Sequence, residues 1–140
     1  MPTPDALRSG LGIDPAETRL GRHYVAVLRS EDEVRALSPD PDALSRLDRP
    51  TIAVTAAGRG PDYVLRFFAP ANGVPEDPVS GVAQCSLAPY WAERLGRNTL
   101  LSEQLSSRGG IMRCRVLDQV VRISGPCRTI AAGRLEEYAS

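Results

Sequence analysis

The residues best suited to chemistry lie in one short segment, where an acidic pair precedes an apolar stretch. Glu76 and Asp77 are followed by Pro78, and Ser80 and Gly81 come soon after. If a helix begins there, its first backbone N–H groups have no partner within the helix and carry partial positive charge. Small residues in that turn let an anion approach the backbone. From spacing alone, a helix that is merely capped by Asp77 or Ser80 and binds nothing is the commoner outcome.

The elements that must position this segment are predicted from periodicity and turn residues. Ser80 to Leu95 is the most apolar helix candidate, and Pro89 within it predicts a kink or a local break. A helix this apolar must be enclosed, and a strongly curved sheet would enclose it. Strands are predicted at residues 23–28, 51–57, 62–69, 100–106, 111–117, 120–124 and 128–132, and short helices after Thr3, after Ser30 and over 41–47. We therefore expect an α+β fold with residues 1–140 in a single domain.

Composition excludes several classes of function. The chain has 17 basic and 17 acidic residues, so we expect it to bind neither nucleic acid nor an anionic membrane surface. It contains no lysine, which excludes a Schiff-base enzyme and a P-loop within this chain. The odd set Cys85, Cys114 and Cys127 predicts buried or half-buried free thiols and no metal site. Without an apolar span or a signal peptide, we expect a cytoplasmic protein.

A long irregular string carries a family resemblance. Residues 66–91, RFFAPANGVPEDPVSGVAQCSLAPYW, resemble the second-half signature of the PhzF-like (phenazine-biosynthesis) isomerases, which are related to the diaminopimelate epimerases. The family's usual string is close to EDPVTGSAH, followed by a similar LAPYW. The likeness extends to HYVAVL, VRAL and SSRGG and covers essentially the whole chain. It implies a single lobe of the diaminopimelate-epimerase-like fold, a mixed curled sheet around a central helix, equivalent to the C-terminal half of a PhzF-like protein.

The resemblance also implies roles for residues of the segment. Asp77 falls on an active-site aspartate that holds or helps protonate the substrate. Ser80 and Gly81 fall on a Thr-Gly pair whose backbone binds the substrate carboxylate, and Ser80 also takes the position of the catalytic cysteine of related epimerases. Val82 and Gln84 depart from the family's serine and histidine. We take Asp77 and Glu76 as candidate catalytic residues and Ser80, Gly81, Val82 and Gln84 as candidate substrate-binding residues, with the N–H groups of Ser80, Gly81 and Val82 converging on the carboxylate.

Other reactive side chains are weaker candidates for a functional site. Cys85 lies inside the predicted helix and is expected in the core rather than as a nucleophile. His23 is the only histidine, and we expect a structural or surface role for it in its strand. Arg108 could bind a carboxylate through both guanidinium arms, or could equally be an exposed turn residue. Tyr90 and Trp91 are expected in the core or an interface.

The resemblance implies a reaction that needs neither metal nor cofactor. It implies proton transfer between carbons of a small carboxylated molecule, which we expect to belong to specialised metabolism such as antibiotic biosynthesis. In the family a glutamate from the first lobe moves the proton, and nothing in this sequence matches that lobe. We therefore expect a half-enzyme completed by homodimerisation or by a separate chain with the first lobe. The alternative is a catalytically inactive ligand-binding or scaffold lobe, which Val82 and Gln84 favour. The start at Met1 and Pro2 is typical of a natural gene, while an excised or truncated domain stays open.

Overall fold

A seven-stranded mixed sheet is the frame of the protein in the computed structural model, which describes residues 1–134. The strands are Glu17–Leu20 (β1), Tyr24–Val27 (β2), Ile52–Ala57 (β3), Tyr63–Phe68 (β4), Thr99–Gln104 (β5), Gly110–Leu117 (β6) and Val120–Ser124 (β7). They follow one another across the sheet in chain order. The pairs β2–β3 and β4–β5 are parallel and the other pairs are antiparallel, which confirms the predicted mixed sheet.

The helices connect the parallel strands or precede the sheet. They are Asp5–Leu11 (α1), Glu31–Ala36 (α2), Pro41–Leu44 (α3) and Gly81–Leu95 (α4), with a 3₁₀ turn at Pro70–Asn72. The predicted capping pattern at α2 is confirmed, because Ser30 Oγ accepts the Glu33 N–H at 3.2 Å. At α4 the cap is Ser80, whose Oγ accepts the Ala83 N–H at 3.3 Å. None of the described helices is long and apolar enough to cross a membrane.

The two faces of the sheet bury different helices. Alternate residues of the central strands point to opposite faces, as period-two alternation requires. On one face Tyr24 belongs to a core that includes residues of α1, α2 and α3. On the other face Val25 and Tyr63 pack with Leu87 of α4. The Tyr90 hydroxyl of α4 also donates to Glu17 of β1 at 3.0 Å, so α4 contacts even an edge strand.

Helix α4 is only partly enclosed by the curled sheet. It is continuous through Pro89, so the predicted local break is absent. One stripe of the helix, formed by Val82, Cys85, Pro89 and Glu93, is exposed. Cavities on its two sides are bordered by residues of β1 and by β7 with the β6–β7 turn, so the stripe lies between the unpaired edges of the sheet. The predicted sheet around a central helix is confirmed, but the expectation of full enclosure is wrong.

Two sequence predictions of strands need correction. β1 was not predicted, because its sequence ETRL is polar and mostly exposed at the sheet edge. The strand predicted over 128–132 is wrong, since residues 125–134 contain no strand. Ile130 there is 94% exposed, so no apolar surface packs against it to hold an extended segment in place. The helix predicted over 41–47 is also shorter and ends at Leu44.

Candidate active site at the start of α4

The loop that precedes α4 is braced by hydrogen bonds from the C-terminal end of β5. Gln104 Oε1 accepts the Ser80 N–H at 2.7 Å, and its amide nitrogen donates to the backbone carbonyl of Asp77. Just beyond β5, Ser106 Oγ donates to the carbonyl of Pro78 at 2.6 Å. The backbone of the acidic segment is therefore held in one position. These contacts could not be predicted from local sequence, because Gln104 lies 24 residues beyond Ser80 along the chain.

The first turn of α4 leaves two backbone donors for a ligand. The N–H groups of Gly81 and Val82 have no hydrogen-bond partner among the described residues. A Cβ added at Gly81 would meet nothing within 4 Å, so the approach to the backbone is open. The expectation that the Ser80 N–H joins them is wrong, because Gln104 already occupies that donor. The Ser80 side chain is also buried and serves as the helix cap.

An open cavity of 580 Å³ lies beside this turn, bordered by Asp77, Val82, Arg22 and His23. Asp77 Oδ1 accepts the Val79 N–H at 3.3 Å, and Oδ2 has no partner within residues 1–134. The helix N-terminus and the Arg22 guanidinium favour an anion there, whereas the Asp77 carboxylate favours a cationic or hydrogen-bond-donating group. The cavity therefore presents two opposite electrostatic preferences side by side.

Glu76 is placed away from Asp77 despite being its neighbour in sequence. Its two carboxylate oxygens each accept from the Arg66 guanidinium at 2.8 Å, and Glu76 does not border the cavity. Arg66 also donates to the Leu37 carbonyl at 2.7 Å, which ties the pair to the loop after α2. A carboxylate engaged in such a two-armed ion pair is not available as a base. The predicted catalytic role of Glu76 is therefore not supported by its position.

Gln84 is likewise outside the cavity. It is fully buried, and its Oε1 accepts a hydrogen bond from the Tyr63 hydroxyl. Burial raises the pKa of Tyr63, so that hydroxyl stays protonated and able to donate. The predicted substrate contact of Gln84 is not supported. Its neighbour Cys85 is exposed, so the prediction of a core cysteine is wrong there, and Cys127 is exposed as well, while Cys114 is buried.

His23 borders the cavity although its sequence context predicted only a structural or surface role. The residue is 1% exposed, and its ring meets Phe67 edge to face with centroids 5.4 Å apart. Burial, followed by the charge of Arg22, lowers the pKa of the imidazole, which favours its neutral form. Nothing in the residues around a strand histidine indicates that a cavity lies beside it. The position of His23 at the cavity could therefore not be predicted from the sequence.

The remaining candidates are structural or exposed. Trp91 is buried, stacks on Tyr63 with centroids 5.8 Å apart and donates from Nε1 to Thr55 Oγ1 at 3.0 Å, which confirms a core role. Tyr90 is also buried. Arg108 is exposed and does not border the cavity. The described residues include no group of three or more His, Cys, Asp or Glu side chains placed to hold a metal ion.

The architecture defines an α+β protein with a seven-stranded mixed sheet around a central helix, whose N-terminus lies beside a cavity. The model of the PhzC-PhzF family, described as phenazine biosynthesis-like protein, matches residues 11–133. The chain therefore belongs to this family, and the resemblance seen in the sequence is confirmed.

Relatives and solved structures agree with that membership. A protein of Pseudomonas aeruginosa named as an uncharacterized isomerase is 47% identical over 131 residues, which cover 92% of this chain and 50% of the relative. A Halalkalibacterium halodurans protein of the same description is 36% identical, covering 94% and 51%. The crystal structure of a PhzF-family protein from Enterococcus faecalis superposes with a TM-score of 0.89 at 39% identity, covering 94% of this chain and 51% of that chain. A putative PhzC/PhzF protein from Clostridium difficile gives 0.87 at 36% identity, with coverages of 97% and 53%. The chain thus spans about half the length of these proteins.

Proposed function

We propose that this chain is one half of a PhzF-like isomerase that moves a proton between carbons of a small carboxylated metabolite without a cofactor. The observation that carries the proposal is the cavity bordered by Asp77 and Val82, beside a helix turn in which the N–H groups of Gly81 and Val82 have no partner among the described residues. Family membership and relatives named as isomerases support it. We also propose that this chain corresponds to the C-terminal half of a PhzF-like protein.

The substrate carboxylate would be held by the backbone of α4. It would accept hydrogen bonds from the N–H groups of Gly81 and Val82, and the helix dipole would stabilise it by about 0.3–1 kcal/mol, more when partly buried. Arg22 borders the same cavity and adds positive charge. The Asp77 carboxylate would repel the substrate unless it faces an amine or a hydroxyl. We therefore propose an amino acid or hydroxy acid as the substrate class.

Proton transfer would use Asp77 together with a group from outside the described residues. Isomerisation needs a base that removes a proton from one carbon and an acid that returns a proton at another position. Asp77 is the only carboxylate that borders the cavity within residues 1–134, and Glu76 is engaged by Arg66. We propose that the second acid–base group comes from a second half-length unit of the same family.

The exposed side of α4 is the surface that this second unit would cover. Apolar side chains there include Val82, 39% exposed, and Val120 of the β6–β7 hairpin, 61% exposed, with Pro89 between them on the helix. Apolar surface of this kind commonly marks an interface. Native mass spectrometry tests it: twice 15.1 kDa would identify a homodimer, and a complex formed only with a first-lobe chain would identify a heteromer. A monomer that binds neither contradicts this part of the proposal.

Two variants separate binding from proton transfer. Gly81→Trp should block the backbone approach and abolish binding of glycolate, L-lactate and L-serine in calorimetric titrations. Asp77→Asn should keep carboxylate binding but abolish uptake of solvent deuterium at the substrate carbon. Arg108→Ala is the matched control, since Arg108 is exposed and outside the cavity. Unchanged binding in Gly81→Trp would place the site elsewhere, and full exchange in Asp77→Asn would remove Asp77 from the chemistry.

A second candidate function is a lobe that binds a ligand and has lost catalysis. It is favoured by the presence of a single carboxylate at the cavity among the described residues, and by Val82 and Gln84 in place of the family's serine and histidine. The same titrations decide between the two. Binding without deuterium uptake, both alone and with a first-lobe chain, would favour the binding lobe over the isomerase.

A further inference from the structure

His23 is a buried polar side chain that the fold itself does not satisfy. It is 1% exposed, and neither Nδ1 nor Nε2 has a hydrogen-bond partner among the described residues. Buried polar groups in folded proteins are almost always paired, because an unpaired group loses its hydration without compensation. An unpaired imidazole in a cavity wall therefore points to a partner that enters the cavity.

Other buried polar side chains in this protein do have hydrogen-bond partners. Trp91 Nε1 donates to Thr55 Oγ1, and Thr55 Oγ1 donates in turn to the Val64 carbonyl at 2.7 Å. Gln84 has one unpaired atom, Nε2, but its Oε1 is bonded to Tyr63. Within residues 1–134, His23 alone has a buried side chain in which every polar atom is unpaired.

The position of His23 links it to the proposed site. The residue lies in the turn between β1 and β2 and borders the 580 Å³ cavity together with Asp77 and Val82. The edge-to-face contact with Phe67 limits how the ring can turn. His23 also borders a cavity of 230 Å³, where Glu93 would repel an anion and the Arg19 guanidinium is already paired with Glu17. The larger cavity, with Arg22 and the N-terminus of α4, is the one suited to a carboxylate.

We propose that His23 is a substrate-binding residue that selects ligands carrying both a carboxylate and a hydroxyl or amine. This inference rests on the proposed function and adds a residue that determines specificity. A neutral imidazole has one N–H donor and one acceptor nitrogen. The carboxylate would lie on the N–H groups of Gly81 and Val82, and the acceptor nitrogen of His23 would accept a hydrogen bond from the ligand's hydroxyl or amine. A simple carboxylate such as acetate would leave that nitrogen without a donor.

Because His23 is the only histidine, its imidazole gives an unambiguous NMR signal in the intact chain. Glycolate, L-serine and acetate are titrated into ¹⁵N-labelled protein while the imidazole nitrogens and the amides of Gly81 and Val82 are followed. Glycolate or L-serine should shift all of these signals, and acetate should shift the amides with a smaller change at the imidazole. If the amides move and the imidazole does not, the role of His23 is refuted while the proposed site stands. If none of the probes moves the amides, the proposed function and this inference both fail.

The variant His23→Phe separates binding from packing, since it keeps a ring against Phe67 and removes both nitrogens. We expect its melting temperature to stay level or rise, because an unpaired polar group is removed. Its affinity for glycolate should fall about tenfold, towards that for acetate. Unchanged glycolate affinity and selectivity, or a lower melting temperature, would overturn the proposal.

The matched control is Tyr24→Phe, at the next residue along the chain. Tyr24 points to the opposite face of the sheet, and its hydroxyl donates to Asp48 at 2.6 Å. Loss of this hydroxyl should lower the melting temperature and leave glycolate affinity and selectivity unchanged. Equal losses of affinity in Tyr24→Phe and His23→Phe would show a general effect of the β2 region and overturn the assignment to His23.

Discussion

The two ends of α4 are built for different tasks. At the C-terminal end Gly96, with φ of 65°, caps the helix through its N–H bond to the Ala92 carbonyl, and Trp91 is paired and buried. At the N-terminal end the Gly81 and Val82 N–H groups have no partner within residues 1–134, and Val82 borders an open cavity. Stabilising contacts and ligand-accepting groups are thus separated along one helix. Substitutions at the two ends should therefore separate stability from binding.

The largest effect on stability is expected from Trp91→Ala in the C-terminal half of α4. The change removes a side chain that is 4% exposed and stacked on Tyr63, and it leaves a cavity. We expect a loss of about 3–5 kcal/mol in the free energy of unfolding, measured by urea denaturation. Trp91→Phe keeps a ring and should lose less. Equal losses in both variants would show that stacking is not what anchors this end of the helix.

A smaller effect is expected from Gln104→Ala, which removes the brace of the N-terminal loop. The buried Ser80 N–H would lose its acceptor, and the Asp77 carbonyl would lose its donor. We expect a loss of about 1–3 kcal/mol in unfolding free energy, together with weaker glycolate binding. This variant tests whether the binding end also depends on the fold around it.

Ser106→Ala is the control for the brace. It removes one bond to the Pro78 carbonyl at a partly exposed position, where water can replace the hydroxyl. Ser106→Ala should therefore lose less unfolding free energy than Gln104→Ala. If Gln104→Ala binds glycolate as well as the native protein does, the brace does not position the site.

The smallest effect is expected from Gly96→Ala at the far end of α4. A residue with a Cβ is strained at φ of 65°, so we expect a loss of about 1 kcal/mol in unfolding free energy and no change in glycolate affinity. Gly60→Ala is the matched control, since an added Cβ there meets nothing within 4 Å and the backbone is not left-handed. A loss of ligand affinity in Gly96→Ala would contradict the separation of the two ends.

Local sequence patterns predicted much of the fold because the responsible interactions are local. The capping residues Ser30 and Ser80 lie where their side chains bond N–H groups three positions ahead. The helix over Gly81–Leu95 and the strands β3 and β4 lie within one or two residues of their predicted bounds. The family resemblance then indicated the mixed sheet around α4.

The composition of the candidate site was less predictable, because neighbours in sequence point in different directions. Gln84 and Cys85 differ by about 100° around the helix axis, so one lies in the core and the other is exposed. Glu76 and Asp77 are also adjacent, but Arg66 holds the first while the second borders the cavity. The sequence showed which residue types were present without showing which way each side chain faced.

By itself, the sequence determined the family, the order of most elements and the helix that begins after Ser80. Capping, alternation and an irregular motif are short-range features that can be read along the chain. Only the tertiary structure decided that His23 borders the same cavity as Asp77 and that Gln104 takes the Ser80 N–H. These relations join residues far apart in sequence, and they exist because the sheet curls around α4 and brings the turn between β1 and β2 beside the start of the helix.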